Sequence, residues 1–254
     1  MSEVLRPARG TIEVPIDSVE TARLCASIAT RLEVCDDLAS EGWTPREEVL
    51  RGCVDVVAGT DCTVVSMIRS RNNGLPTTLT AAGFEATPRA IDCAMREIEM
   101  SARAGAHAVA IGFLSSQGGI DIPACSRLRD HAQGLGLLVA FLRTVDLVRD
   151  RAQAMRDLAQ LRVVRVVTAG VLGWDAGRLS LQERIGVLRA DAEVLSHEAS
   201  RRGEAMVAIV PGGGVRAANA QDWRAVSPHL HASCRRSGSF CLDELVALRL
   251  ALNA

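Results

Sequence analysis

Short apolar segments rich in β-branched residues recur along this chain, and each one precedes a turn and a helical pattern. Parallel strands that are buried on both faces have such nearly continuous apolar sequences. Eight segments have this character: "TIEVPI" (11–16), "RLEVC" (31–35), "CTVVSMI" (62–68), "HAVAIGF" (107–113), "GLLVAFLR" (136–143), "RVVRVVT" (162–168), "MVAIVP" (206–211) and "HLHAS" (229–233). Eight strand-then-helix units without a low-complexity linker predict an α/β fold, a parallel eight-stranded TIM (β/α)8 barrel.

The alternative fold is an open, doubly wound sheet, which carries its glycine fingerprint after the first strand. In this chain the triple glycine follows the seventh predicted strand, so the barrel is favoured. We expect residues 11–254 to form a single domain and residues 1–10 to form an N-terminal tail.

Helix starts are predicted where a side-chain oxygen is followed three residues later by a glutamate that reaches back. This spacing occurs at Asp17 and Glu20, at Thr44 and Glu47, and at Ser180 and Glu183.

Charge and cysteine content argue against several classes of protein. The 29 basic and 30 acidic residues give a net charge of −1, which provides no general attraction for nucleic acid or an anionic membrane. Because no signal peptide or spanning segment is recognisable, we expect a cytoplasmic protein. The eight cysteines form no C-x-x-C pair, which argues against a disulfide framework and a structural zinc site.

Glycines at 212–214 follow the seventh predicted strand, and "CRRSGS" (234–239) follows the eighth. In (β/α)8 barrels these two loops frequently form a phosphate site from backbone N–H groups. The sequence therefore predicts an anion-binding site, and a plain turn is the alternative. Its candidate residues are Gly212, Gly213, Gly214, Arg216 and Ser237.

Two carboxylates lie in the first two predicted strands, which are neighbours in a barrel. Glu33 shares a strand face with Arg31 and Cys35, and Glu13 lies in the strand beside it. A buried carboxylate needs a partner. Glu13 and Glu33 therefore form either an acid–base pair with separated pKa values or structural salt bridges to arginines.

Further candidate catalytic residues lie near the ends of other predicted strands. Arg69 and Arg71 follow the third strand, and two arginines at this spacing in an extended chain can clamp a carboxylate or phosphate. Arg143 ends the fifth strand, and Asp146 is either a partner in the site or a helix cap. His231 in the eighth strand is a candidate base or a hydrogen-bonded core group.

The chain resembles the CutC family in five motifs that occur in the family's order. They are "RLEVCDDLASEGWTP" (31–45), "MIRSRNNG" (67–74), "FLRTVD" (141–146), "VTAG" (167–170) and "PGGGVRAANA" (211–220). The resemblance implies a TIM barrel, a cytoplasmic location, a role in copper homeostasis with copper(I) bound by cysteine, and a homodimer or higher oligomer.

Several residues match the family's motifs one by one: Glu13, Glu33, Cys35, Arg69, Arg71, Arg143, Asp146, His231 and Ser233. The chain departs from the family at Leu142, where a histidine is usual, so an acid–base group or ligand is missing. The loop "NNGLPTTLTAAGF" (72–84) departs as well.

Two classes of function follow. The first is a copper homeostasis protein that binds copper(I) through Cys35, with Cys25 or Cys234 as a second soft ligand. The second is a lyase, isomerase or hydrolase that acts on a phosphorylated or carboxylated small molecule, with Glu13 and Glu33 transferring protons. The departure at Leu142 also leaves open a barrel that no longer catalyses a reaction.

Overall fold

The strands form a parallel barrel, as predicted. The computed structural model describes residues 10–253, so the predicted tail lies outside the described residues except for Gly10. Within that range one eight-stranded sheet is built from β1 (Thr11–Ile16), β2 (Arg31–Val34), β3 (Thr63–Met67), β4 (Ala108–Ile111), β5 (Leu138–Phe141), β6 (Arg165–Thr168), β7 (Ala208–Pro211) and β8 (His229–His231). Each predicted strand is confirmed, with ends that differ by a few residues.

The barrel is nearly closed. The hydrogen-bonded order is β7-β6-β5-β4-β3-β2-β1-β8, and β8 lies beside β7. Ser227, just before β8, donates a hydrogen bond of 2.5 Å to the Ile209 carbonyl in β7. The carboxyl ends of all these strands therefore surround one mouth.

Helices surround the strands. They are α1 (Val19–Cys25), α2 (Glu47–Val57), α3 (Pro88–Arg103), α4 (Ile122–Gly134), α5 (Arg151–Leu161), α6 (Leu181–Arg202), α7 (Ala220–Arg224) and α8 (Leu242–Asn253). A short antiparallel hairpin of β9 (Arg235–Arg236) and β10 (Ser239–Phe240) lies between β8 and α8. None of the helices within residues 10–253 is long and apolar enough to cross a membrane.

A separate small apolar cluster sits apart from the main core. Val65 of β3, Ala108 and Ala110 of β4, and Ala140 and Leu142 at β5 form this cluster. Alternate residues of barrel strands face the interior, so this side of the lumen is lined by small or apolar side chains. Charged residues occupy the interior positions of other strands, and they form the site described below.

Of the three predicted helix starts, one is confirmed and two are wrong. The cap of α6 is confirmed, because the Glu183 N–H donates to Ser180 Oγ while the Ser180 N–H donates to the Glu183 carboxylate. The Asp17 prediction is wrong, because Ser18 caps α1.

The Thr44 prediction is also wrong. Its hydroxyl donates to Glu97 Oε2 at 2.6 Å and accepts from the Arg69 N–H at 2.8 Å. Thr44 therefore joins the loops that follow β2 and β3 instead of starting a helix.

Replacing the α6 cap should lower stability without changing the fold. Ser180→Ala removes the acceptor for the first turn of α6, so we expect the free energy of unfolding to fall by about 1 kcal/mol in denaturant titration. Ser196→Ala, at an exposed position inside the same helix, is the control and should have little effect. An equal loss in both variants would contradict the capping role.

Candidate functional site

A cavity of about 280 Å³ opens at the carboxyl ends of the strands. Its walls include Glu33, Arg69, Arg143, the glycine loop at 213–214 and His231. Pockets for small molecules typically begin at about this volume. The mouth is therefore sized for one small molecule.

Glu13 is the centre of a buried ionic cluster inside the barrel. Its Oε2 accepts from Arg31 Nε at 3.0 Å and from Arg165 Nε at 3.1 Å, and its Oε1 lies 3.0 Å from His231 Nδ1. Burial raises the pKa of Glu13, but the Arg165 charge, the His231 hydrogen bond and the Arg31 charge together hold that pKa well below its usual range. Glu13 is thus an ionised carboxylate in structural salt bridges, and it orients the His231 ring.

His231 and Glu33 face each other beside this cluster. Burial lowers the pKa of His231, but the hydrogen bond to Glu13 and the Glu33 charge raise it above its ordinary value. Its Nε2 is 4.0 Å from Glu33 Oε2, beyond direct hydrogen-bond distance.

Glu33 has the properties of an acid–base group. Burial and the Glu13 charge raise the pKa of Glu33 to about 7, against the lowering effect of the His231 and Arg165 charges. Glu13 and Glu33 therefore have widely separated pKa values, an arrangement that lets one carboxyl exchange protons near neutral pH while the other stays ionised.

A stack of aromatic rings and guanidinium groups forms part of the rim. The Arg69 guanidinium carbon lies 4.0 Å from the Trp43 ring centre and 5.0 Å from that of Phe84. Phe84 stacks on Trp174 at 5.8 Å, and the Arg143 guanidinium lies 4.8 Å from the Trp174 ring. These contacts hold Arg69 and Arg143 in fixed positions.

The glycine loop exposes backbone donors to the cavity. Gly213 and Gly214 have φ angles of +71° and +82°, a conformation that side chains rarely adopt. Within residues 10–253, no hydrogen-bond acceptor is found for the N–H groups of Gly213, Gly214 and Val215. All three residues line the cavity.

Arg184 supports this loop from behind. Its Nη2 donates to the carbonyls of Gly212 and Gly213 at 2.7 Å each. The N–H of Gly212 is engaged by the Thr168 carbonyl at 2.8 Å, so Gly212 extends β7 and offers no free donor. Arg184 thus occupies the carbonyls of the loop, and the free N–H groups of Gly213, Gly214 and Val215 remain for an anion.

The structure brings some predicted site residues together and leaves others apart. The cavity is lined by Glu33, Arg69, Arg143, Gly213, Gly214, Arg216 and His231. Arg71 lies outside it and pairs with Asp36 at 2.9 Å and Asp37 at 3.4 Å, so the predicted two-arginine clamp is not formed. Ser237 is exposed in the turn between β9 and β10 and does not line the cavity.

Asp146 is fully buried and caps no helix. It accepts hydrogen bonds from the Thr168 hydroxyl at 2.5 Å, the Ala169 N–H at 2.8 Å and Arg151 at 3.0 Å. It also lies 3.4 Å from Arg143 Nε, so it acts on the site only by positioning that arginine.

Several residues of the site were missed in the sequence, including Val215 and Arg184 at the glycine loop. Arg165 was missed as well: it interrupts the apolar segment 162–168 and is the first residue of β6. Like Glu33, it is a charged residue in a strand expected to be buried, so it was identifiable as a buried charge. The aromatic residues of the rim were missed too: Trp43, Phe84 and Trp174. The chain has only three tryptophans and four phenylalanines, and their scarcity is the one sequence signal that could have drawn attention to them.

Cys35 does not form a metal site with other side chains. It is buried, its thiol donates to the Ile16 carbonyl at 3.5 Å, and burial raises its pKa well above the usual range. Burial also raises the pKa of Cys25 and of Cys234 to about 12 each. Copper(I) prefers converging thiolates, and no group of three His, Cys, Asp or Glu within residues 10–253 could hold a metal ion. These residues do not fit a preformed copper site.

Comparison with known proteins gives a consistent match. The CutC family model matches residues 11–234. The family protein CutC of Vibrio parahaemolyticus is 30% identical over 212 residues, which cover 83% of this chain and 75% of that protein. The Xanthomonas campestris pv. campestris protein is 31% identical over 227 residues, which cover 88% and 83%. A solved CutC structure from Streptococcus agalactiae, described as a copper homeostasis protein, has a TM-score of 0.73 at 23% identity and covers 88% of this chain and 98% of its own.

Glu33 should titrate near neutral pH. In protein labelled with ¹³C at glutamate side chains, we expect one carboxyl resonance to titrate at a pH of about 7, because burial disfavours the ionised form. That resonance should be absent from Glu33→Gln and present in Glu41→Gln, a change at the exposed rim of the same cavity. A Glu33 resonance titrating near the ordinary glutamate value of about 4.3 would contradict the assignment.

Proposed function

The chain belongs to the CutC family, and we propose that it binds a small anionic molecule at the mouth of the barrel and exchanges a proton with it. The observation that carries the proposal is the placement of Glu33, with a pKa of about 7, in one cavity with His231 and several arginines. Groups with such perturbed pKa values in a cleft are typical of sites for acid–base chemistry.

Binding would use the free donors of the glycine loop. The N–H groups of Gly213, Gly214 and Val215 would serve as backbone donors to the anion, as in other backbone anion sites. Arg143 and Arg216 add positive charge at the cavity wall. Among residues 10–253, the side-chain donors of Arg216 contact only the carbonyls of Val215 and Arg235, at 3.0 and 3.3 Å, and Glu244 acts on it through charge alone.

Proton transfer would use Glu33. With a pKa near the working pH, a carboxyl group can both accept and return a proton. Glu13 orients His231 and raises its pKa; in its protonated form His231 would donate a hydrogen bond to a substrate oxygen that gains negative charge. These roles suit the predicted lyase, isomerase or hydrolase. The proposed proton transfer does not need an acid–base side chain at position 142, where this chain has Leu142.

Gly213→Ala should weaken anion binding. A Cβ at Gly213 would lie 3.0 Å from Ala176 Cβ and 3.3 Å from Ala169 Cβ at a φ of +71°, so the loop must shift and its N–H groups lose their alignment. We expect the affinity for inorganic phosphate, measured by calorimetry, to fall by about tenfold or more, because a hydrogen bond to a charged group contributes about 1.5–3 kcal/mol.

The control for this variant is Gly59→Ala. Gly59 has a similar φ of +78° but no atom within 4 Å of an added Cβ, so the change imposes backbone strain away from the cavity. Equal phosphate affinity in wild type and Gly213→Ala would rule out the loop as the anion site.

Copper homeostasis is the second candidate function. It is supported by the name of the Streptococcus agalactiae relative, and in this reading copper(I) is a cargo of a cytoplasmic protein. Cys35 is the ligand that the sequence suggests, although its buried thiol would have to lose a proton and its contact with Ile16.

From this geometry we expect Cys35→Ser to bind copper(I) as wild type does, in competition with a chromophoric chelator. The half-buried Cys93 and Cys241 serve as controls, because Ser substitutions there measure copper held by accessible thiols. A tenfold or larger loss of affinity confined to Cys35→Ser would instead support copper as the cargo.

A further inference from the structure

We infer that the natural ligand carries two anionic groups, a phosphoryl group held by the glycine loop and a carboxylate held by Arg69 on the opposite side of the mouth. This inference rests on the proposed function and deepens it, because it names the substrate class as small phosphorylated carboxylic acids.

Arg69 is a buried cation that has no carboxylate partner among residues 10–253. It is 5% exposed and lines the cavity. Its Nη1 donates to the carbonyls of Ser40 at 3.2 Å and Gly42 at 3.0 Å, and its Nη2 donates to that of Thr77 at 3.3 Å.

Within residues 10–253, two of the five N–H groups of Arg69 are unused, the one on Nε and one on Nη2. No carboxylate in that range lies within 4.0 Å of the guanidinium. Glu41, exposed at the rim, acts on Arg69 only through its charge. A buried charge without a partner is strongly unfavourable, and Arg143 differs from it because Asp146 faces it. An anionic group of a ligand in the cavity that Arg69 lines would compensate its charge.

The ring of strands places this cation opposite the glycine loop. Arg69 follows the end of β3 by two residues, and Gly213 follows the end of β7 by two residues. In the order β7-β6-β5-β4-β3-β2-β1-β8, β3 and β7 are four places apart in either direction around the ring. A ligand that reaches both sites must therefore extend across the mouth.

The two arcs between these sites differ in chemistry. Going from β3 to β7 through β2, β1 and β8, the interior carries Glu33, Glu13 and His231. Going through β5 and β6, the cavity wall carries the apolar Leu142 and Val167 together with Arg143. A ligand bound at both ends would therefore hold its middle atoms beside Glu33 and His231 on one side and this wall on the other.

The chemistry of the two ends also differs. Backbone N–H groups in a glycine loop suit the several oxygens of a phosphoryl group. Three of the five N–H groups of Arg69 donate to carbonyls, and a carboxylate fits the charge and the remaining donors of this planar guanidinium.

Two probes of equal chain length test the inference. 3-Phosphoglycerate and glycerol 3-phosphate both carry a phosphoryl group at one end, but only the first has a carboxylate at the other. By calorimetry we expect wild-type protein to bind 3-phosphoglycerate about tenfold more tightly or better, as a charge-assisted contact implies. Arg69→Met should remove this preference while retaining glycerol 3-phosphate binding.

The control is Arg71→Met. Arg71 contacts the same Trp43 ring at 5.1 Å but pairs with Asp36 outside the cavity, so this variant should keep the preference. If Arg69→Met does not fold, Arg69→Lys, which keeps the charge but has a different donor geometry, should show a reduced preference.

The outcomes separate the two proposals. Equal binding of the two probes by wild type would overturn the inference and leave the glycine-loop site intact. A preference that survives in folded Arg69→Met would overturn the role of Arg69. Binding of neither probe, together with no binding of inorganic phosphate, would overturn the proposed function itself.

Discussion

An ionised carboxylate inside the barrel is the interaction on which the rest of the site depends. Glu13 on β1 contacts Arg31 on β2, Arg165 on β6 and His231 on β8, so it connects strands on both sides of the lumen. Taking such charges out of water is costly, and the cluster is stable only because each charge has partners. The same cluster fixes the ring of His231 and, through its negative charge, helps raise the pKa of Glu33. One set of buried ion pairs thus determines both the shape of the barrel interior and the protonation of the group that faces the cavity.

The position of that cluster divides the lumen into two halves. Small and apolar side chains from β3 to β5 fill one half, and charged groups of β1, β2, β6 and β8 fill the other. Leu142, which replaces the histidine usual in the family, belongs to the apolar half and is 5% exposed. The replacement therefore extends an apolar wall and leaves the Glu13, His231 and Glu33 arrangement complete.

Much of this arrangement could be predicted from the sequence, because strands buried on both faces leave a clear apolar pattern. Glu13, Glu33 and His231 were identifiable since a charged or polar residue in such a strand must be paired or functional. Sequence spacing alone did not predict the position of side chains whose partners lie far away in the chain. Arg71 was expected beside Arg69, but the chain turns after β3 and Arg71 pairs with Asp36 and Asp37.

The same limit applies to the loops. Asp17 and Thr44 have capping side chains at the right distance from a glutamate, yet Asp17 pairs with Arg235 and Thr44 joins Glu97 to Arg69. These interactions come from residues distant in the chain, which local spacing does not report. The glycine loop shows the opposite case, because its positive φ angles are local and cost glycine little, but its role depends on Arg184. That guanidinium lies 4.7 Å from the Trp223 ring and donates to the loop carbonyls, which places positive charge next to the free N–H groups. The same arginine that fixes the loop therefore also favours an anion on the cavity side.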